Sequence, residues 1–217
     1  VTLRAVAFLG AAFLLAASFV DASEPSTADR VWQAYEKRWS ATESYAADFK
    51  QKIEISGIGG EVESSGRFYF RRPDLMRWDY LQGQQQTVVG DGEWIWVYQP
   101  DLEQAYRVAY AEAFGTGGLV ALLAGREGLS AKYRTTLLDE NSEIVRIRLE
   151  PAGEVGETLD LTMSADTMDL RSVVVTDPAG SVTIVEFSDP KRNGPLQEGL
   201  FEFEPPAGVD VIAPPAG

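Results

Sequence analysis

Thirty-three aspartates and glutamates, 19 lysines and arginines, and neither a histidine nor a cysteine make up the ionisable and metal-binding repertoire of this chain. Without His and Cys there is no Ser-His-Asp or Cys-His triad, and no imidazole or thiolate ligand for zinc, copper or haem. No P-loop and no dinucleotide fingerprint occurs, so no cofactor is expected. Two carboxylates can hydrolyse a glycosidic bond, but 33 acidic residues bring some pair together by chance. Asp139-Glu140-Asn141 and Asp166 lack the spacing of a calcium loop and read as solvated turns. The chain is not expected to be an enzyme.

One cation stands in an apolar row. By even spacing along an extended strand, Val62, Gly66, Phe68, Phe70 and Arg72 share one side, while Arg71 points the other way and Pro73 ends the run. An arginine facing an apolar interior is costly unless its donors are satisfied. Its five N–H groups can bridge several carbonyls at once. Two readings stay open at this point. Arg72 snorkels to water or pairs with an acidic residue at the strand end, or it is a latch that holds helices closed over an apolar cavity.

The elements that would position Arg72 are legible in the hydrophobic periodicity. Val31, Trp32, Tyr35 and Trp39 recur at helical spacing with Glu36, Lys37 and Arg38 opposite, and Thr27 or Asp29 can cap the start. From Tyr45 the period becomes two. Strands are expected at Tyr45–Ile55, Val62–Phe70, Leu75–Tyr80, Thr87–Val89 and Trp94–Tyr98, with Gly90-Asp91-Gly92 as a hairpin turn. The stretch Ala111 to Gly128 interrupts this pattern with one or two short apolar helices. Strands resume at Tyr133–Leu138, Ile144–Leu149, Thr158–Met163, Leu170–Thr176 and Val182–Phe187, and Phe201–Phe203 reads as a last one. About ten or eleven strands, a leading helix and a helical insertion predict a mainly β (α+β) fold, a long meander that curls under helices.

Residues 1–22 read as a secretory signal, with Arg4 as n-region, Ala5–Val20 as an uncharged apolar run and Val20-Asp21-Ala22 as a small-residue cleavage site. At 16 residues the run is short for a membrane span, which needs roughly 17–25. Residues 23–217 are then expected to form a single domain. With no cysteine to carry a lipid, the mature chain is expected to diffuse. Its net charge of −14 disfavours nucleic acid and anionic membranes as partners.

Several segments in order resemble one family. Ala47-Asp48-Phe49-Lys50-Gln51, then Gly66-Arg67-Phe68-Tyr69-Phe70-Arg71-Arg72-Pro73-Asp74-Leu75-Met76-Arg77-Trp78-Asp79-Tyr80, is similar to the front half of the LolA family of outer-membrane lipoprotein carriers. Val88-Val89-Gly90-Asp91-Gly92, Trp94-Ile95-Trp96-Val97-Tyr98 and Asp101-Leu102-Glu103-Gln104 resemble the family's next segment. Leu200-Phe201-Glu202-Phe203 and Pro206-Ala207-Gly208-Val209-Asp210-Val211-Ile212 resemble its end. The match spans roughly residues 31–212. It implies a curved, incompletely closed antiparallel β-barrel with a lid of short α-helices over an apolar cavity. The lid would be residues 29–44 and part of 111–128, and the family's lid-bonding arginine falls on Arg72. The chain departs from the family at Met76, where an aromatic is usual, and in the glycine-rich stretch Gly115–Gly118.

The resemblance further implies a monomeric periplasmic carrier that takes acylated lipoproteins from an inner-membrane ABC-type release complex and hands them to an outer-membrane lipoprotein receptor. Candidates for the acyl-chain wall are Trp32, Tyr35, Trp39, Phe49, Phe68, Phe70, Met76, Trp78, Trp94, Trp96, Leu122 and Leu123. Each has plain core packing as its alternative. Two other functions compete, a carrier of free lipids or glycolipids on the same fold and a regulatory module that senses lipoproteins.

Overall fold

The computed structural model describes residues 25–57, 59–110, 112, 118–123, 132–153 and 155–212. The expected secretory signal and much of the expected second lid segment lie outside the described residues.

Helix α1 runs over Thr27–Ser40. Ser26 is its N-cap, and a capping box joins Ser26 to Asp29. Lys37 and Arg38 complement the dipole in its last turn. The cap thus lies just before the expected Thr27 or Asp29, because Asp29 serves as the reciprocal partner of the cap. The buried face is the one the spacing indicates, Val31, Trp32, Tyr35 and Trp39.

Twelve strands form one sheet: β1 Ser44–Ile55, β2 Gly60–Arg71, β3 Leu75–Gln82, β4 Gln86–Asp91, β5 Trp94–Gln99, β6 Gln104–Ala109, β7 Tyr133–Glu140, β8 Ile144–Pro151, β9 Thr158–Ser164, β10 Leu170–Thr176, β11 Val182–Arg192 and β12 Asp210–Ile212. A short helix α2, Gly118–Leu123, lies between β6 and β7 in the chain. The strand order is β12-β6-β5-β4-β3-β2-β1-β11-β10-β9-β8-β7. Two antiparallel meanders, β1 to β6 and β7 to β11, meet where β1 pairs with β11. The short β12 adds in parallel to β6. The sheet stays open, with β12 and β7 as its edges. Two strands differ from the sequence reading. β6 has no counterpart in it, and Phe201–Phe203 is irregular, the last strand lying instead at β12.

The expected turns are present. Asp91 closes the β4–β5 hairpin by accepting the amides of Glu93 and Trp94 at 2.9 and 2.7 Å. Asp177, in the Asp177-Pro178-Ala179-Gly180 run whose composition marks a turn, does the same for β10–β11 by accepting the Ser181 amide at 2.9 Å. Asn141 accepts the amides of Glu143 and Ile144 and so shapes the β7–β8 turn.

The sheet buries two different faces. On its inner side lies a continuous core that includes Phe49, Phe68, Phe70, Met76, Trp78, Ile147, Leu161 and Val185, covered by Trp32, Tyr35 and Trp39 of α1 and by Leu122 and Leu123 of α2. On its outer side a smaller cluster of Val89, Trp96 and Ala105 packs under Phe203 and Val209. The segment after β11 crosses this outer face. Phe201 lies under the Arg71 guanidinium, and the Leu200 carbonyl accepts from Arg77 Nη1 at 3.1 Å.

Candidate functional site: an apolar concavity under a tethered helix

The site is built from the concave face of the sheet. An apolar cavity of about 190 Å³ lies there, lined by residues of β1, β3, β4, β5, β11 and α2, among them Met76, Trp78, Val88, Ile95, Leu119 and Leu123. Period-two alternation brings Met76 and Trp78 inward on β3, and helix α2 supplies Leu119 and Leu123. Gly90 faces the same side, where a Cβ would come within 2.8 Å of Met76 Cγ. The missing side chain thus makes room for Met76.

Polar groups are few here. Tyr80 donates its hydroxyl to Gln51 Oε1 at 2.8 Å at the cavity wall. Burial pushes the Tyr80 phenol up to about 12, so it is a neutral donor. Among the described residues no group of three or more His, Cys, Asp or Glu side chains could hold a metal ion. The arrangement offers shape and apolar contact.

Arg72 sits at the end of β2 and faces the end of α1. Its Nη2 donates to the Trp39 carbonyl at 2.8 Å and its Nε to the Thr42 carbonyl at 2.9 Å. Its backbone amide donates to the Glu43 carbonyl at 2.9 Å. These are carbonyls at and just past the helix C-terminus, where partial negative charge accumulates, and the Trp39 carbonyl also accepts the Thr42 amide at 2.9 Å. Among the described residues the side-chain bonds of Arg72 run to backbone carbonyls and not to an acidic side chain. The guanidinium bridges the backbone of the covering helix.

A second arginine converges on the same point. Arg192 Nη1 donates to Thr42 Oγ1, and its Nε donates to Asp169 Oδ1 at 2.6 Å. The guanidinium also stacks over the rings of Trp39 and Tyr45, at 5.4 and 5.2 Å from their centroids. Burial pushes the Tyr45 phenol up to about 12 against the opposing pull of Arg192. Asn193 Oδ1 completes the tether by accepting the Glu43 amide at 2.8 Å. At its other end α1 is held by Thr135, whose hydroxyl donates to Asp29 Oδ1. That bond, with those from Ser26, keeps the Asp29 carboxyl below the usual carboxylate range.

Sequence reasoning missed Arg192 for a definite reason. Counting by twos from Phe187 puts Arg192 on the outer side. A bulge in β11 opposite Ala46–Asp48, where Asp189 has φ +51°, adds one residue and turns Arg192 inward, opposite Tyr45. The available signal was Asp189-Pro190 inside a strand.

Ten of the twelve wall candidates belong to the inner core: Trp32, Tyr35, Trp39, Phe49, Phe68, Phe70, Met76, Trp78, Leu122 and Leu123. Three of these, Met76, Trp78 and Leu123, line the cavity itself. Trp94 and Trp96 do not face it. They lie on the outer side of β5, where Arg107 stacks over both rings and Phe203 covers Trp96 at 5.5 Å. The β5 residue that faces the cavity is Ile95. Two aromatics at alternate positions look like a core face by periodicity, and only the returning C-terminal segment makes the outer side a core as well.

The comparisons with known proteins agree with this architecture. The family model described as "Outer membrane lipoprotein carrier protein LolA" matches residues 40–204. The outer-membrane lipoprotein carrier protein of Chromobacterium violaceum is 32% identical over 179 residues, 80% of this chain and 83% of that protein. Its counterpart from Dechloromonas aromatica is 33% identical over 173 residues, 79% of this chain and 82% of its own length. Among solved structures, an uncharacterized conserved protein from Thermus thermophilus shares the fold with a TM-score of 0.57 at 15% identity, covering 87% of this chain and 100% of that one. An open, curved sheet with an apolar concavity, an Arg-Pro pair at the end of β2 and this extent of matching sequence place the chain in the LolA family of outer-membrane lipoprotein carrier proteins.

Proposed function

We propose that this chain is a periplasmic carrier that shelters the acyl chains of lipoproteins between the concave sheet and the helices α1 and α2. The observation that carries the reading is the apolar cavity beneath α2, beside a covering helix tethered through its backbone carbonyls to Arg72. Each buried CH₂ is worth ~0.8 kcal/mol. Holding a long acyl chain in water therefore costs on the order of ten kcal/mol, and a soluble shuttle must remove that cost without binding irreversibly. Apolar walls do so because the hydrocarbon itself makes no directional bond that has to break at hand-over.

The cavity of about 190 Å³ is smaller than the roughly 300–1,000 Å³ of ordinary ligand pockets. A full acyl chain therefore enters only as a covering helix moves. In this reading entry of the chain and the bonds of Arg72 to α1 compete, so cargo holds the helix away and its departure lets the latch re-form. Cargo would arrive from an inner-membrane ABC-type release complex and leave to an outer-membrane lipoprotein receptor. The carrier acts as a monomer, needs no cofactor and performs no chemistry. Its route to the periplasm is the apolar run before residue 22.

The test is detergent-free gel filtration of the mature protein mixed with a diacylglyceryl-cysteine peptide or with the same peptide lacking its acyl chains. Co-elution with the acylated peptide alone is expected. Equal co-elution of both, or of neither, contradicts the reading.

A further inference from the structure

The inward face of α1 carries three buried polar atoms that bond nothing among the described residues. Trp32 Nε1, Tyr35 Oη and Trp39 Nε1 are buried and have no hydrogen-bond partner among the described residues. All three side chains are only 2% exposed. They form one stack, with ring centroids 5.5 Å apart from Trp32 to Tyr35 and 6.2 Å from Tyr35 to Trp39. The stack continues toward the cavity. Trp39 meets Tyr45 at 5.3 Å, Tyr45 meets Phe68 at 6.2 Å, and Phe68 meets the cavity residue Trp78 at 4.5 Å.

A buried donor without a partner is a standing cost to the fold, and native proteins retain few. Phenylalanine at each of these positions would keep most of the ring packing and remove that cost. Three such atoms on one face of one helix call for a ligand that meets them. Their chemistry specifies it. An indole N–H only donates, and burial keeps the Tyr35 phenol protonated, so the stripe offers neutral donors and calls for an acceptor. The cations nearby are committed elsewhere, Arg72 to the carbonyls of Trp39 and Thr42 and Arg192 to Asp169 and Thr42. Among the described residues both guanidiniums beside the stripe are thus engaged, Arg192 in an ion pair with Asp169, and leave no uncommitted charge for a free carboxylate. A neutral carbonyl oxygen fits.

We infer that Trp32, Tyr35 and Trp39 form a polar subsite that receives the ester or amide carbonyls joining acyl chains to their cargo. This rests on the acyl-carrier reading and deepens it. The hydrocarbon lies against the sheet, while the linkage that begins each chain is read by α1. Such a subsite distinguishes acylated polypeptides from plain hydrocarbon and sets the depth to which the chains enter.

The experiment compares two probes of equal chain length, a diacylglyceryl-cysteine peptide and its dialkyl-ether twin, which lacks the carbonyls. Affinities for the intact mature protein come from quenching of its tryptophan fluorescence. Wild type is expected to prefer the ester probe by about tenfold. Tyr35→Phe and Trp39→Phe are each expected to cut that preference at least threefold, and Tyr35→Phe is expected not to lower the melting temperature. Equal wild-type affinity for the two probes overturns the inference while leaving the carrier reading intact. So does an unchanged preference in both variants. A clear fall in the melting temperature of Tyr35→Phe also overturns it, since the hydroxyl would then have a partner in the unloaded protein. If wild type binds neither probe, the carrier reading fails and the subsite with it.

Discussion

Arg72 Nη2 lies 2.8 Å from the carbonyl oxygen of Trp39, so the same helix turn that buries an indole against the sheet also exposes its backbone to a guanidinium. Packing of Trp39 and the bonds of Arg72 are thereby coupled. Displacing Trp39 from the core pulls its carbonyl away from Arg72, and losing Arg72 frees the turn that seats Trp39. The proposed latch role of Arg72 is the first to test. Hydrogen bonds to charged groups contribute about 1.5–3 kcal/mol each, and Arg72→Leu removes two of them. The variant is expected to be less stable when empty and to hold an acylated peptide about tenfold more tightly, because cargo no longer displaces the latch. Hand-over to an acceptor should slow accordingly. Titration and transfer assays read both, and unchanged loading together with unchanged transfer would disprove the latch.

Arg192 should behave differently. Its guanidinium and the Asp169 carboxylate are 11% and 18% exposed, and the pair bridges the β9–β10 turn to the end of α1. Arg192→Leu leaves Asp169 with no counter-charge at that contact, at a cost of about 3 kcal/mol. Urea unfolding should show this loss, and Asp169→Asn in the same chain should restore part of it. A double-mutant cycle with no coupling would mean that the two groups act separately.

The two faces of the sheet make a paired prediction. Trp78→Ala removes a ring that lines the cavity, whereas Trp96→Ala removes one packed under Phe203 outside. Both should destabilise, by about 3–5 kcal/mol. Only Trp78→Ala should weaken binding of an acylated peptide under conditions where both variants remain folded. Equal weakening would place Trp96 at the cargo site after all.

Gly66 is where β2 and β3 approach too closely for any side chain. A Cβ there would lie 1.8 Å from the Asp79 carbonyl oxygen, beside the Phe49 ring. Gly66→Ala is therefore expected to lower stability by about 3 kcal/mol as the strands separate at the bulge. A melting temperature within a degree or two of wild type would contradict this close approach.

The start of α1 carries a pH signature. The Asp29 carboxyl is held below its usual value of 3.8 by bonds from Thr135 and Ser26. A depressed carboxyl contributes stability that is full above the unfolded value and is lost as pH falls through the folded one. Asp29→Asn should thus be less stable than wild type at neutral pH. The gap should close below about pH 4, as the wild-type carboxyl protonates. Urea midpoints from neutral pH down to about pH 2.5 measure it, and a gap that stays constant over that range contradicts the assignment.

Much of this was readable in the residues, and the failures share a cause. The aromatic face of α1, the inward row Phe68, Phe70 and Arg72, and the turns at Asp91 and Asp177 all arise from local periodicity and local hydrogen bonds. What escaped depends on distant partners. β6 presents Ala105 and Arg107 on one face, a weak alternation that makes sense only beside β12 and beneath Phe203 and Val209. The same returning segment gives Trp94 and Trp96 an outer core that periodicity cannot distinguish from the inner one. Arg192 was hidden by a single bulge, since one extra residue reverses every later side chain. The unpartnered donors on α1 are invisible to pattern altogether, because satisfaction of a polar atom is a property of its surroundings.

The measurement that tests the central claim most directly is native mass spectrometry of the mature chain purified from its own periplasm without detergent. The account predicts a complex heavier than the protein by one intact acylated polypeptide, its abundance rising when lipoprotein synthesis is raised. Adducts of lipid mass alone, or bare protein under the same conditions, would contradict it.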